Sequence, residues 1–268
     1  MTAVRFRPET RAAIEAVRLG LLMAGEQSGR AAVTPKAGRD IVTSADIAVE
    51  DAIRELIAGR TGLPVVGEEH GGEIPPDGSA CWLVDPICGT RNYASGTPLY
   101  AINVALAEGG QVTAGVVGDP SAGEVLVAEL GGGAVASAGL ARDDWRRLHT
   151  TDAAGTVAIE PARSAGSRRE HAAAVIADIV RADRWDFRSL ASTLSLAYVA
   201  GGRLSAWAVF VTDSPVHCAA GSLVVREAGG VVSDLDGVAW STDSDSCLVS
   251  ANARLHGELL DLVAKWRD

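Results

Sequence analysis

Three acidic clusters stand at the ends of apolar runs within the first 90 residues. "RDIVTSAD" supplies Asp40 and Asp46 with Thr43 between them, "VVGEEHGGE" places Glu68 and Glu69 after an apolar run, and "WLVDPICGT" supplies Asp85. Taken singly, each acid reads as a solvated loop charge or a helix cap. Taken together, with Gly-rich turns after two of them, they form an oxygen-ligand site suited to Mg²⁺. The "CGT" turn adds backbone N–H groups and the Thr90 hydroxyl at an expected helix start. Unsatisfied amides and the helix dipole favour phosphate at such a place.

Cysteine interrupts this pattern. The chain has Cys81, Cys88, Cys218 and Cys247, with no CxxC pair and no small-domain disulfide spacing. Cys81 and Cys247 lie in the strand-like runs "SACWLVD" and "DSCLVSA" and read as small buried apolar residues. Cys88 follows Asp85 by three positions, inside the acidic motif. Cys218 lies in "TDSPVHCAAGSLVVREAGG", where Ser214 and Pro215 provide a cap and a first helical residue. A thiolate about one turn into a helix is favoured, so Cys218 is a candidate for active chemistry. Its neighbour His217 reads as a solvent-facing or packing residue, because adjacent helical side chains diverge.

The elements that must position these groups follow from periodicity. Residues 10–27 and 44–59 carry apolar positions at helical spacing, with Ser44 as the expected cap of the second. "KAGRDIVTSAD" is a polar turn between them. Strand-like runs follow at "LPVVGEE", "ACWLVD" (stopped by Pro86), "LYAINVALAE", "QVTAGVVGD" and "GEVLVAEL", with a hairpin at "AEGGQV". After about residue 150 strands alternate with helices: "TVAIEP", a helix over 167–182, "WDFRS", a helix over 192–201, "RLSAWAVF", and a helix from Pro215 to Ala228. "GGVVSD", "SCLVSA" and a last helix from 253 complete the chain. The expected fold is α+β joined to α/β: residues 1–150 form a lobe with the metal and phosphate motifs, and residues 151–268 form a lobe that completes the site.

Charge narrows the partners. The 268 residues carry a formal net charge of −10, which argues against nucleic acid or an anionic membrane. A small anionic substrate remains compatible, because a bound cation reverses the local field. No apolar run reaches the length of a membrane span, and "AAIEAVRLGLLMAG" is broken by Glu15 and Arg18 as in an amphipathic helix. A cytoplasmic protein is expected.

In the order of its signals the chain resembles the inositol monophosphatase superfamily of metal-dependent sugar-phosphate and nucleotide phosphatases. The resemblance rests on "DIVTSAD", "GEE", "WLVDPICGTRNY", "LAYVAGGRL" and "HCAAGSLVVREAGG", over nearly the full length. It implies a layered αβαβα sugar-phosphatase-like fold and a homodimer. Glu68, Asp85 and the carbonyl of Ile87 would hold a first Mg²⁺, and Thr90 with Asp46 or Glu68 would position the attacking water. The amides of Gly89 and Thr90 would hold phosphate. Arg188 and Ser192, in "FRSLAST", fall where the family contacts substrate. Two departures stand out. The family pattern D-P-(aliphatic)-D-G-T has Cys88 at its second aspartate, and W-D-x-A-A-G has His217 and Cys218 at its first two positions. Both cysteines replace ligands of the second metal. The strand "RLSAWAVF" also lacks the acid that inositol-phosphate enzymes direct at ring hydroxyls, with none before Asp213.

These residues leave three readings. The first is a phosphomonoester hydrolase acting on a small phosphorylated or anionic metabolite, with Mg²⁺ in the first site and Zn²⁺ at Asp85, Cys88 and Cys218, joined by His217, or no ion there. The second is a non-hydrolytic biosynthetic enzyme that uses Cys88 or Cys218 as nucleophile, with only His217 and His70 available as bases. The third is a phosphate-ligand binder, or a redox-controlled protein in which the two cysteines join. The hydrolase reading ranks first because Glu68, Asp85, Gly89 and Thr90 are retained together.

Overall fold

Helix α1 (Pro8–Gln27) begins on a proline, whose missing N–H costs nothing in a first turn, and carries Glu9 at the positive end of the helix dipole. The structure, a computed structural model, describes residues 4–36, 40–139, 144–161 and 166–266. Residues 37–39 of the polar turn therefore lie outside the described part. Strands β1 (Val33–Pro35) and β2 (Ile41–Thr43) pair antiparallel, so residues 41–43 of the expected polar turn are a strand, held by that pairing. Helix α2 (Ser44–Thr61) follows directly and is capped by Thr43 rather than Ser44. The Thr43 hydroxyl accepts from the amide of Asp46, and the Asp46 carboxylate reaches back to the Thr43 N–H at 2.8 Å. This reciprocal box explains the one-residue shift: only a cap three positions before an acid can close it.

Strand β3 (Val65–Gly67) pairs parallel with β4 (Cys81–Cys88), and the five-residue helix α3 (Thr90–Ala94) leads from β4 into the sheet's antiparallel part. That part comprises β5 (Ala101–Glu108), β6 (Gln111–Asp119), β7 (Glu124–Glu129), β8 (Gly133–Ala138) and β9 (Trp145–Arg147). The seven strands β3 to β9 lie in sequence order. A second sheet contains β10 (Thr156–Glu160), β11 (Asp186–Arg188) after helix α4 (Ser167–Ala182), and β12 (Ala206–Val209) after helix α5 (Leu194–Ala200). A 3-10 turn (Pro215–His217) and helix α6 (Ala219–Glu227) lead to β13 (Val231–Ser233), β14 (Cys247–Ser250) and helix α7 (Ala253–Ala264). These five strands lie in the order β11-β10-β12-β14-β13.

Three hydrophobic cores give the layering its physical content. One joins α1 and α2 to one face of the larger sheet, through Val17, Ile53, Trp82 and Val104. The second joins the other face, through Leu83 and Val117, to α5 and α6 and on to Trp207 and Val249 of the smaller sheet. The third joins that sheet's far face to α4 and α7, through Ile159, Ile179, Phe210 and Leu259. The order is αβαβα, as expected. Each of the two larger sheets is covered on both sides, which is why β4 is buried at every position rather than alternating.

The middle layer is tight because small residues let backbones meet. A Cβ on Gly115 of β6 would lie 2.7 Å from the carbonyl oxygen of Ala220 in α6. Gly115→Ala should therefore cost about 1–3 kcal/mol of stability, read from the denaturation midpoint, because neither backbone can give way alone. A neutral result would show that α6 can slide on the sheet.

Candidate active site

Strand β4 does not stop at Pro86. It runs to Cys88 with a register shift: Asp85 pairs with Asn103 and Cys88 with Ala101, so β4 has one residue more than β5 over this stretch. Proline cannot donate to the ladder, and a bulge absorbs it. The bulge also has a chemical effect. In a regular strand, residues three apart point to opposite faces. The extra residue brings Asp85 and Cys88 to one side, where their ligand atoms and a His217 ring nitrogen lie within 4.8 Å of one another.

His217 is neither the solvent-facing nor the simple packing residue that its place in the sequence suggests, but turns into the acidic cluster. Its Nδ1 lies 2.8 Å from Asp85 Oδ2 and 4.0 Å from Glu68 Oε2, and its Nε2 lies 3.3 Å from Asp213 Oδ1. The chain after Ser214 enters as a 3-10 turn, not as a continuous α-helix, and Cys218 becomes the residue that caps α6. The tighter turn aims His217 at the acidic strand ends. Cys218 is 1% exposed and its thiol meets Cys247 in the core. Among the described residues the ligand cluster is thus one aspartate, one cysteine and one histidine, not Asp85 with two cysteines. All four cysteines are free thiols.

Electrostatics follow from this crowding. Burial and then the charge of Asp85 push the Glu68 carboxyl up to about 9, with His217 acting in the opposite sense. Burial lowers the basicity of His217, yet hydrogen bonds to Asp213, Asp85 and Cys88 carry its pKa well above the ordinary histidine value. Burial pushes the Cys88 thiol up to about 11, and the adjacent Asp85 charge adds to it. Contact with Cys247, then burial, raises Cys218 well above the usual thiol range. The expected thiolate-favouring effect of a helix start does not operate at Cys218, because a neighbouring thiol and burial outweigh a dipole.

Asp46, fully buried, accepts from the Thr43 hydroxyl at 2.5 Å and receives the Thr90 hydroxyl on its other oxygen at 3.3 Å. Burial raises its pKa to about 6 against the Thr43 bonds. Thr90 Oγ1 also lies 3.3 Å from the Ile87 carbonyl. Gly89, at φ 112°, makes the turn into α3, and a Cβ there would lie 2.9 Å from the Leu99 carbonyl, so glycine is required. Ser192 is buried and donates to the Cys88 carbonyl at 2.7 Å. Arg188 is exposed at the end of β11 and bonds the carbonyl of Phe187. His70 faces Asp51 at 2.8 Å, away from the cluster.

Two groups were missed in the sequence. Glu50, fully buried on α2, accepts the amides of Glu69 and His70 at 2.7 and 3.1 Å and so fixes the turn that carries Glu68. Gly67 makes room for it, since a Cβ would fall on the Glu50 carboxylate. Lys36 Nζ lies 2.6 Å from Glu69 and 3.8 Å from Glu68, a cation beside the acids. Glu50 falls on the helical pattern of α2 as one more acid, and only its placement opposite a glycine could have marked it.

The residues fit a cation. Asp85 is fully buried and its Oδ1 has no hydrogen-bond partner among the described residues. A buried carboxylate oxygen without a donor is costly unless a metal completes it. Carboxylate, thiol and imidazole together are a donor set for Zn²⁺, whereas Glu68, Asp85 and the Ile87 carbonyl offer oxygen alone.

Layers in the order αβαβα with acidic strand ends converging on one turn are those of the sugar-phosphatase-like layered fold. The chain belongs to the inositol monophosphatase family, whose sequence profile matches residues 7–267. It is 36% identical to the inositol-1-monophosphatase ImpA of Mycolicibacterium smegmatis over 229 residues, 85% of this chain and 82% of that one. It is 34% identical to the Nus factor SuhB of Pasteurella multocida, over 86% of this chain and 85% of that one. Among solved structures, the IMPase of Thermotoga maritima matches with a TM-score of 0.80 at 29% identity, over 95% of this chain and 96% of that one. The extragenic suppressor protein SuhB of Bartonella henselae matches with a TM-score of 0.85 at 26% identity, over 97% and 99%. Among the described residues no helix is long and apolar enough to cross a membrane.

Proposed function

We propose that this chain is a phosphomonoester hydrolase for a small phosphorylated metabolite, with a mixed metal centre. Glu68, Asp85 and the Ile87 carbonyl would hold Mg²⁺, and Asp85, Cys88 and His217 would hold Zn²⁺. The observation that carries this reading is the buried, unpartnered oxygen of Asp85 at the junction of the two donor sets. When bound, the ions would supply Lewis acidity to the phosphoryl oxygens and lower the pKa of a coordinated water.

The protein's own groups do the rest. The Thr90 hydroxyl donates a hydrogen bond to Asp46, which leaves its oxygen lone pairs to orient the attacking water. Asp46, with a pKa of about 6, is the carboxylate able to take a proton relayed through Thr90 Oγ1 near neutral pH. The amides of Gly89 and Thr90 hold a phosphoryl oxygen, and Arg188 meets the anion from the rim. The rest of the substrate is less hydroxylated than an inositol ring, because β12 leads into Phe210 and the part-exposed Val211 with no acid before Asp213. The relatives named inositol-1-monophosphatases therefore make inositol 1-phosphate the comparison substrate, not the expected best one.

One observation favours a second reading. The His217 imidazole already lies between Asp85 and Asp213, so it serves as an internal partner for the acids in a phosphate-ligand binder without the second ion. Metal analysis of protein purified without added metal, paired with thiol titration after unfolding, separates the two. The hydrolase reading expects about one chelatable Zn²⁺ per chain and four reactive thiols. Four thiols without zinc, and no hydrolysis with Mg²⁺ added, would support the binder. A missing thiol pair that includes Cys88 would overturn the zinc assignment.

A further inference from the structure

The loop that touches the phosphate turn from the smaller sheet is held by a carboxylate. Glu160 ends β10, and its Oε1 accepts the amide protons of both Leu190 and Ala191, at 2.7 and 2.8 Å. Its Oε2 accepts the Ser189 hydroxyl at 2.8 Å. Ala191 has φ 52°, in the left-handed region, which alanine has no special tolerance for. Successive amides converging on one oxygen form an anion nest, and here the anion is part of the chain.

Directly after this nest the chain reaches the candidate site. Ser192 donates to the Cys88 carbonyl at 2.7 Å, and its Oγ lies 3.2 Å from where a Cβ on Gly89 would be. Asn92 of α3 donates from one amide group to the carbonyls of Leu190 and Leu99, both at 2.7 Å. Asn103, the β5 partner of Asp85, donates to Thr193 at 3.0 Å. Residues 189–193 thus form one clamped segment, with Glu160 at one end and the Cys88–Gly89 turn at the other.

We infer that Glu160 is a positioning residue for the phosphate turn: it shapes loop 189–193 and fills a nest that would otherwise bind anions itself. The inference rests on the phosphate reading above for its ligand readout only. Glu160→Ala empties the nest, Glu160→Gln keeps the shape but not the charge, and Glu160→Asp shortens the reach by one methylene. The measurements are the backbone amide shifts of Gly89 and Ala191, the thermal midpoint, and the affinity for inorganic phosphate in the presence of Mg²⁺. Glu160→Ala should move both amide shifts and weaken phosphate by about tenfold to a hundredfold, the usual range for losing an outer support of a site. Acetate should restore both in Glu160→Ala, by supplying the missing carboxylate, and should do nothing to the unmodified protein. Glu160→Gln should fall between the two. If the Ala191 shift moves while Gly89 and the phosphate affinity stay put, the loop is not coupled to the turn and the inference is wrong. If the unmodified protein binds no phosphate, the hydrolase and binder readings fail together, and the Gly89 shift with its acetate rescue still decides the role of Glu160.

Discussion

Asp85→Asn is expected to remove metal binding and to lower any phosphatase activity by at least about a hundredfold, the scale seen when one electrostatic contact to the transition state is lost. The substitution changes charge and leaves volume almost unchanged. Asp85 is the residue common to the oxygen set and to the Cys88–His217 set, so both ions lose a ligand at once. Burial and the Asp85 charge raise the Glu68 pKa to about 9, so neutralising Asp85 should bring that pKa down, and it also deprives His217 of its charged partner at 2.8 Å. The unmodified protein should gain thermal stability from added metal through binding linkage, and the variant should not. Isothermal titration with Zn²⁺ and Mg²⁺, beside melting curves with and without chelator, checks both halves. Retained stoichiometric metal, or full activity, would show the acids to be relics of an ancestral site.

The layers were legible because their signals are local. Helical spacing marked α1, α2 and α4, and apolar runs marked β3 to β7 and β10 to β14. Strand β2 reads as part of a polar turn, while β8 and β9 escaped because "GAVASA" is built of small residues and "WRR" is short and polar. The last two are strands because β7 offers a free edge, a tertiary cause with no local trace. The meeting of Thr90 with Asp46, and of Glu68 with Asp85, was legible as residue types in a pattern. His217 was not, because its direction depends on three residues of 3-10 turn, and a continuous α-helix from Pro215 would have turned it elsewhere. Glu50 and Glu160 were illegible for a further reason. Each bonds backbone amides far along the chain, and backbone amides leave no letter in a sequence.

Reverting the cysteines alone is expected to do little. In Cys88→Asp with Cys218→Asp, two carboxylates join Asp85 around a second ion, yet His217 still occupies Asp85 Oδ2 at 2.8 Å. Position 218 is also buried against Cys247, so an aspartate there is costly until a cation meets it. Adding His217→Trp frees Asp85 and restores the bulk the family motif carries at that place. The triple variant should then gain Mg²⁺-dependent hydrolysis of a generic phosphomonoester by on the order of a hundredfold over the double, as the leaving oxygen regains its cation. Its melting temperature should also become more strongly Mg²⁺-dependent than that of the unmodified chain, which responds to Zn²⁺ as well as to Mg²⁺. The two readouts separate failure modes. A triple variant that folds and binds Mg²⁺ without hydrolysis would place the barrier outside the metal centre. A double variant as active as the triple would show that His217 yields readily to metal, and that the thiols alone set this metal centre apart. If the triple gains nothing in either measurement, positions 88, 217 and 218 are not what sets this metal centre apart.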